Sequence, residues 1–162
     1  MATIVFIGFR GSGKTTLGRW LAEELGVDFI DTDVLVLERL GFESVTLAWE
    51  AVGEIGWREA EASVIPPLLQ KEAVIAFGGG APMIPQVKKA LSGVPIVIHV
   101  VADAQETARR IKGGDDRPAL AKGDQEIRLE RLPLYAMLAT CEIDTSGPIA
   151  DSQAQILNFL NN

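Results

Sequence analysis

Short apolar runs alternate along the chain with stretches in which apolar residues return every three or four positions. Uninterrupted apolar runs read as strands buried on both faces, and the periodic stretches read as helices covering them. The pattern therefore predicts a parallel sheet with helices on both sides. Five strands are expected, over residues 3–7, 28–30, 73–76, 96–101 and 142–143. Helices are expected over 15–25, 33–40, 44–51, 54–69, 85–91, 104–111, 124–140 and 151–160. The pair Pro66-Pro67 is expected to bend or interrupt the fourth of them, because proline removes a helical donor and crowds the preceding turn. One loop, 112–123, replaces apolar periodicity with glycine and charge, and it reads as mobile and as a lid. No repeat, low-complexity tract or interdomain linker divides the chain, so residues 1–162 are expected to form one domain.

Composition narrows the function classes. With 48% hydrophobic residues and a mean hydropathy of +0.20, the chain can bury a full core. A net charge of -7 and a pI near 4.7 argue against extended contact with nucleic acid or an acidic membrane, both of which call for a basic face. The lone cysteine, Cys141, excludes an internal disulfide framework and favours a reducing compartment. No leader precedes the first strand and no apolar run is long enough to span a bilayer, so a cytoplasmic protein is expected.

Chemistry enters with Gly8-Phe9-Arg10-Gly11-Ser12-Gly13-Lys14-Thr15, which fits the pattern G-x-x-x-x-G-K-S/T. It lies between the first strand and the first helix, where backbone N–H groups and a helix dipole converge on one point, and such a point binds phosphate. Gly8, Gly11 and Gly13 let the backbone curl round the anion, Lys14 can reach the β- and γ-phosphates, and the Thr15 hydroxyl can take a place on Mg²⁺. The bland alternative is a glycine-rich turn with a surface lysine. Arg10 occupies a permissive position of the loop and receives no role.

Asp31-Thr32-Asp33 follows at the carboxyl end of the second strand, beside the phosphate loop in a doubly wound sheet. One carboxylate can hold Mg²⁺ through water while the other orients or deprotonates an acceptor hydroxyl; alternatively both merely cap the next helix. Gly53-Glu54 and Trp57-Arg58-Glu59-Ala60-Glu61 place Arg58 and Glu61 three apart on one helical face, which alone is an ordinary ion pair. Gly78-Gly79-Gly80 lets the backbone come very close to a ligand, or simply makes a tight turn. Arg117 and Arg131 carry guanidinium groups suited to planar anions. His99, in an apolar strand, and Cys141 read as core residues.

Together and in this order, the phosphate loop, Asp31-x-Asp33, Gly53-Glu54-x-x-Trp57-Arg58-x-x-Glu61, Gly78-Gly79-Gly80, Arg117-Pro118, Arg131-x-Pro133-Leu134-Tyr135 and Asp144-Thr145 resemble the shikimate kinase family over nearly the whole chain. The resemblance implies a three-layer α/β P-loop kinase fold, with a five-stranded parallel sheet flanked by helices, a mobile lid at 112–123 and a substrate-binding helical region at 33–61. It implies transfer of phosphate from ATP, with Mg²⁺, to the 3-hydroxyl of shikimate in the route to chorismate and aromatic amino acids. It further implies a cytoplasmic monomer whose partner is a small molecule, with no nucleic acid and no membrane.

Position by position, the resemblance makes Asp33 the group that binds the acceptor hydroxyl and the candidate base, with Lys14 and Arg117 as the other catalytic residues. Gly11, Ser12, Gly13, Lys14, Thr15, Thr16, Arg110 and Arg117 fall on the nucleotide, Arg110 packing on adenine and Arg117 reaching from the lid. Asp33, Arg58, Glu61, Gly79, Gly80 and Arg131 fall on the substrate, the two arginines on its carboxylate and Glu61 behind Arg58. Thr15 and Asp31 fall on the metal. Trp49 and Trp57 stand where the family usually has phenylalanines lining the acid pocket. Phe77 replaces a small or hydroxyl residue, Met137 replaces a common glutamate, and Ser146-Gly147-Pro148 lacks a basic residue over adenine. A kinase for another polyol acid such as gluconate, and a nucleotide-binding regulatory module without transfer activity, are the competing readings.

Overall fold

The computed structural model of the chain describes residues 2–102 and 123–162. The helix expected at 104–111 and nearly all of the expected lid lie outside the described residues. The described chain runs β1 (Ile4–Ile7), α1 (Lys14–Leu25), β2 (Asp28–Asp31), α2 (Thr32–Leu40), α3 (Val45–Leu68), β3 (Ala73–Ala76), a 3-10 turn (Ala81–Met83) and α4 (Pro85–Leu91). It continues through β4 (Ile96–Val101), α5 (Asp124–Leu138), β5 (Cys141–Asp144) and α6 (Ile149–Leu160).

The strands form one parallel sheet in the order β2-β3-β1-β4-β5. Every residue of β1 and β3 is buried, as central strands covered on both faces require. Alternate side chains of β1 feed two different cores. Val5 and Ile7 join Ile65, Leu68, Ile75, Val87 and Tyr135, so α3, α4 and α5 cover that face. Ile4 and Phe6 join Leu17, Leu21, Val74, Ile98 and Ile156, so α1 and α6 cover the other. These are the three layers. From β1 the chain first builds the β3 and β2 side of the sheet and then crosses to β4 and β5. The loops at the carboxyl ends of β1 and its neighbours consequently open a crevice, where ligands of doubly wound sheets bind.

A smaller core, of Val36, Val45, Ala48, Trp57 and Ala60, clamps α2 against α3 and builds a wall beside that crevice. The two helices expected at 44–51 and 54–69 are both present: α3 is two helical stretches that meet at a kink at Gly53, whose φ of 69° and ψ of 178° are not helical. Pro66 and Pro67 do not interrupt the second stretch. They lie in its last turn, where only a few residues of helix remain to be disturbed, and the helix stops at Leu68, directly after the pair.

The remaining departures are at element ends. The first helix begins at Lys14, one residue before the expectation. β2 extends to Asp31 through its pairing with Ala76, and α2 starts at Thr32 because the Asp31 side chain accepts from the Asp33 N–H at 2.9 Å. α5 ends at Leu138 because Ala139 is extended and Thr140 returns to the sheet, its N–H donating to the Val97 carbonyl at 2.8 Å. β5 gains Cys141 and Asp144 by pairing with β4, and α6 starts at Ile149, directly after Pro148.

Candidate functional site

The loop after β1 is shaped by three glycines with φ of 149° (Gly8), 77° (Gly11) and 105° (Gly13), values that side chains with a Cβ rarely adopt. Gly13 is the N-cap of α1 and supplies no side-chain cap, and no acidic residue occupies the first turn, so neither competes with an anion at the start of the helix. Lys14 is buried, with Nζ donating to the carbonyls of Gly8 at 2.8 Å and Phe9 at 3.0 Å. Its ammonium thus lies under the loop, within reach of whatever the loop holds. Thr15 and Thr16 are exposed on the first turn. From the end of β5, Thr145 Oγ1 donates to the Ser12 carbonyl at 2.6 Å and ties the loop to the far strand. A hollow lined by Gly13, Thr16, Leu17, Thr145, Gly147, Ile149 and Ser152 adjoins this point, so the loop after β5 reaches the phosphate loop.

The second cleft is lined by Asp33, Trp49, Trp57, Arg58, Glu61, Gly79, Gly80 and Arg131, together with Arg10, Val45 and Gly78. All eight substrate-side residues of the sequence reading therefore meet in one place. Within a chain of net charge -7 this cleft carries three arginines against two carboxylates, a local cationic excess that suits an anion.

The geometry follows from backbone that has no side chains in the way. A Cβ on Gly78 would sit 2.6 Å from Asp33 Oδ1, and one on Gly80 would sit 2.5 Å from the Arg58 guanidinium carbon. The triplet does turn, with the Ala81 N–H donating to the Gly78 carbonyl at 3.1 Å, and its lack of side chains also leaves room for Asp33 and Arg58. Arg58 Nη1 donates to Glu61 Oε1 at 2.6 Å and Nη2 to Glu54 Oε2 at 3.2 Å. Glu61 is fully buried, and the guanidinium sets a positive charge against its carboxylate. Arg58 also stands over the Trp49 ring, 5.7 Å from its centroid, and Trp49 and Trp57 lie 6.5 Å apart with planes tilted by 40°.

Asp33, at the start of α2, is buried in the cleft, while Asp31 caps the same helix. The capping interpretation thus holds for Asp31, and the two aspartates have different surroundings. Among the described residues no group of three or more His, Cys, Asp or Glu side chains could hold a metal ion. A hydroxyl from Thr15 and a carboxylate from Asp31 nonetheless suit Mg²⁺, which keeps most of its waters and shares ligands with phosphate oxygens. Arg110 and Arg117 lie outside the described residues.

Three contributors had no assigned role in the sequence reading. Arg10 lines the cleft from the phosphate loop. Thr32 is fully buried, and its hydroxyl accepts from the Gly78 N–H at 3.0 Å. Tyr135, also fully buried, donates from its hydroxyl to the Gly79 carbonyl at 2.5 Å. Thr32 and Tyr135 thereby fix the first two residues of the glycine triplet, one at an N–H and the other at a carbonyl. Only the Pro-Leu-Tyr segment hinted at one of them. Phe77 packs in the core and Met137 is exposed on α5, so neither lines the cleft.

His99 is buried on β4, with its ring centroid 5.1 Å from that of Tyr135 and Nδ1 3.4 Å from Glu142 Oε2. Burial holds its pKa below the ordinary imidazole value, with the Lys14 and Arg128 charges acting the same way and Glu142 opposing. It is a core residue outside the cleft lining. Cys141 is partly buried, and burial raises its thiol pKa.

Comparison with known proteins gives a consistent result. A family model described as shikimate kinase matches residues 10–161. A shikimate kinase of Mycobacterium avium (strain 104) is 38% identical over 148 residues, covering 88% of this chain and 83% of the relative. One from Legionella pneumophila (strain Corby) is also 38% identical over 148 residues, covering 88% and 84%. Among solved structures, shikimate kinase from Acinetobacter baumannii in complex with shikimate superposes with a TM-score of 0.88 at 32% identity, covering 99% of this chain and 93% of that one.

Proposed function

The chain belongs to the shikimate kinase family, whose activity is transfer of phosphate from ATP to shikimate, and we propose that the cleft performs this transfer at the 3-hydroxyl by the following division of labour. The observation that carries the proposal is the convergence of Asp33, Arg58 and Arg131 on one cationic cleft that Arg10 joins to the phosphate loop.

Arg58 and Arg131 take the substrate carboxylate, because a guanidinium offers the planar pair of donors a carboxylate matches. Glu61 and Glu54 hold Arg58 in that pose. Gly79 and Gly80 bring backbone against the ring, and Trp49 and Trp57 wall it in. Asp33, in the same cleft, accepts the hydroxyl proton as the oxygen attacks the γ-phosphorus; the bond to the bridging oxygen breaks and ADP leaves with that electron pair. Gly11, Ser12, Gly13, Lys14, Thr15 and Thr16 hold the phosphates. As negative charge gathers on the departing oxygens, the Lys14 ammonium meets it. Mg²⁺, held by Thr15 and through water by Asp31, supplies further charge neutralisation when bound. Arg117 completes the phosphate cage from the lid and Arg110 packs on adenine, as the family resemblance implies. Holding the acceptor in line with the phosphorus supplies much of the rate.

No helix among the described residues is long and apolar enough to cross a membrane. A cytoplasmic monomer with small-molecule partners, and no nucleic-acid or membrane partner, completes the proposal.

The test is coupled ADP release with MgATP and shikimate, quinate or gluconate, on the wild-type protein and on Asp33→Asn. Shikimate-dependent turnover that falls by about 10²–10⁴-fold in Asp33→Asn is the expected outcome. A preference for gluconate would reassign the acceptor. ADP release indifferent to every acceptor would leave a nucleotide-binding module.

A further inference from the structure

We propose that the indole Nε1–H of Trp49 is a third donor to the substrate carboxylate, engaged only when that acid is bound. The proposal rests on the reading of the cleft as a shikimate site and concerns how that site selects an acid.

The observation is an orphan. Trp49 Nε1 is shielded from solvent and has no hydrogen-bond partner among the described residues. A buried tryptophan N–H usually finds an acceptor, and one left unmet calls for an explanation. Trp49 is also a wall of the cleft, with its ring centroid 5.7 Å from the guanidinium carbon of Arg58. The donor therefore belongs to the same corner as the arginine that binds the carboxylate. Both terminal nitrogens of Arg58 already serve Glu61 and Glu54, so the corner has more carboxylate on the protein side of the guanidinium than one cation balances. A further donor turned toward the incoming acid would help to complete its coordination.

The position of Trp49 on α3 supplies the means. It lies on the stretch 45–52, ahead of the break at Gly53, whereas Trp57, Arg58 and Glu61 lie beyond it. The first stretch can turn slightly about Gly53 without unwinding the helix that carries the clamp. A small turn suffices to bring a shielded N–H onto a ligand oxygen. The indole nitrogen donates and cannot accept, so it distinguishes a carboxylate oxygen from an ammonium group.

Two measurements test this. In Trp49→Phe the aromatic wall stays and the donor goes. The expected result is a rise of about tenfold in the KM for shikimate, as for a lost hydrogen bond to a charged group, with kcat within about twofold and the KM for ATP unchanged. An unchanged shikimate KM overturns the proposal.

The second measurement uses wild-type protein and so does not depend on the variant folding. The ¹⁵N-labelled indole resonances of Trp20, Trp49 and Trp57 are followed as shikimate is added without nucleotide. A downfield shift and slowed solvent exchange confined to the Trp49 Nε1–H is expected. A response at Trp57 with none at Trp49 overturns the hydrogen bond while leaving the substrate reading intact. Silence at both indoles, with no shikimate-dependent turnover, overturns the substrate reading and the hydrogen bond with it.

Discussion

Gly80→Ala adds one methyl group to the protein, and the structure indicates what that methyl does. The backbone at Gly80, with φ -88° and ψ -9°, is open to any residue, so the substitution introduces no conformational strain. The new Cβ would lie 2.5 Å from the Arg58 guanidinium carbon, whereas ordinary contact begins near 3.4 Å. The guanidinium must retreat by about 1 Å, enough to break its 2.6 Å bond to Glu61. A hydrogen bond between charged groups contributes about 1.5–3 kcal/mol, and the Glu61 carboxylate, fully buried, has no water to turn to. A loss of about 2 kcal/mol in the clamp corresponds to roughly a thirtyfold weaker hold on the acid. Steady-state kinetics should show that rise in the KM for shikimate with the KM for ATP within about twofold, and urea unfolding should show a loss of about 1–2 kcal/mol. The same substitution in an Arg58→Ala background completes a double-mutant cycle, and there the methyl should cost little. A wild-type KM in Gly80→Ala, or an equal penalty in both backgrounds, would refute the steric argument.

Two further outcomes are expected. Thr145→Val removes the bond from Oγ1 to the Ser12 carbonyl, so stability to urea should fall by about 1–2 kcal/mol and the KM for ATP should rise by about fivefold; unchanged ATP kinetics would show that the phosphate loop does not rely on this tether. For His99 the folded state depresses the pKa below the 6.5 of the free imidazole, so protonation favours the unfolded chain. Its stabilising effect is whole above that value and is lost as the pH falls below it; the loss of stability between about pH 7.5 and pH 5.5 should therefore shrink in His99→Phe, and an identical loss in both proteins would count against the assignment.

The parts of the molecule legible in the sequence are those governed by local rules. A buried strand followed by Gly8, Gly11 and Gly13 announces the phosphate loop because only glycine tolerates its φ angles. The alternation of apolar runs and periodic stretches announces the parallel sheet, although nothing local places β1 between β3 and β4. Of the cleft, the charged residues could be picked out through the family resemblance. Thr32 and Tyr135 could not be given roles, because their work is to bond the backbone of Gly78 and Gly79, 46 and 56 residues away in the chain. Sequence spacing carries no trace of such pairings. Nor does spacing show that Pro66 and Pro67 would fall inside α3 without interrupting it, since that depends on where the chain turns toward β3.

The bare start of α1 has a consequence beyond anion binding. Most helices meet their first donors with a Ser, Thr, Asp or Asn of their own, and a cap of that kind contributes about 1 kcal/mol. Gly13 provides none, so a bound phosphate finishes a helix that the polypeptide leaves unfinished. Folding and nucleotide supply are thereby linked, and nucleotide at a hundredfold over its Kd adds about 2.7 kcal/mol to the folded state. Resistance to heat and proteases should therefore rise with the concentration of any nucleotide whose phosphates fill the loop, ADP as well as ATP.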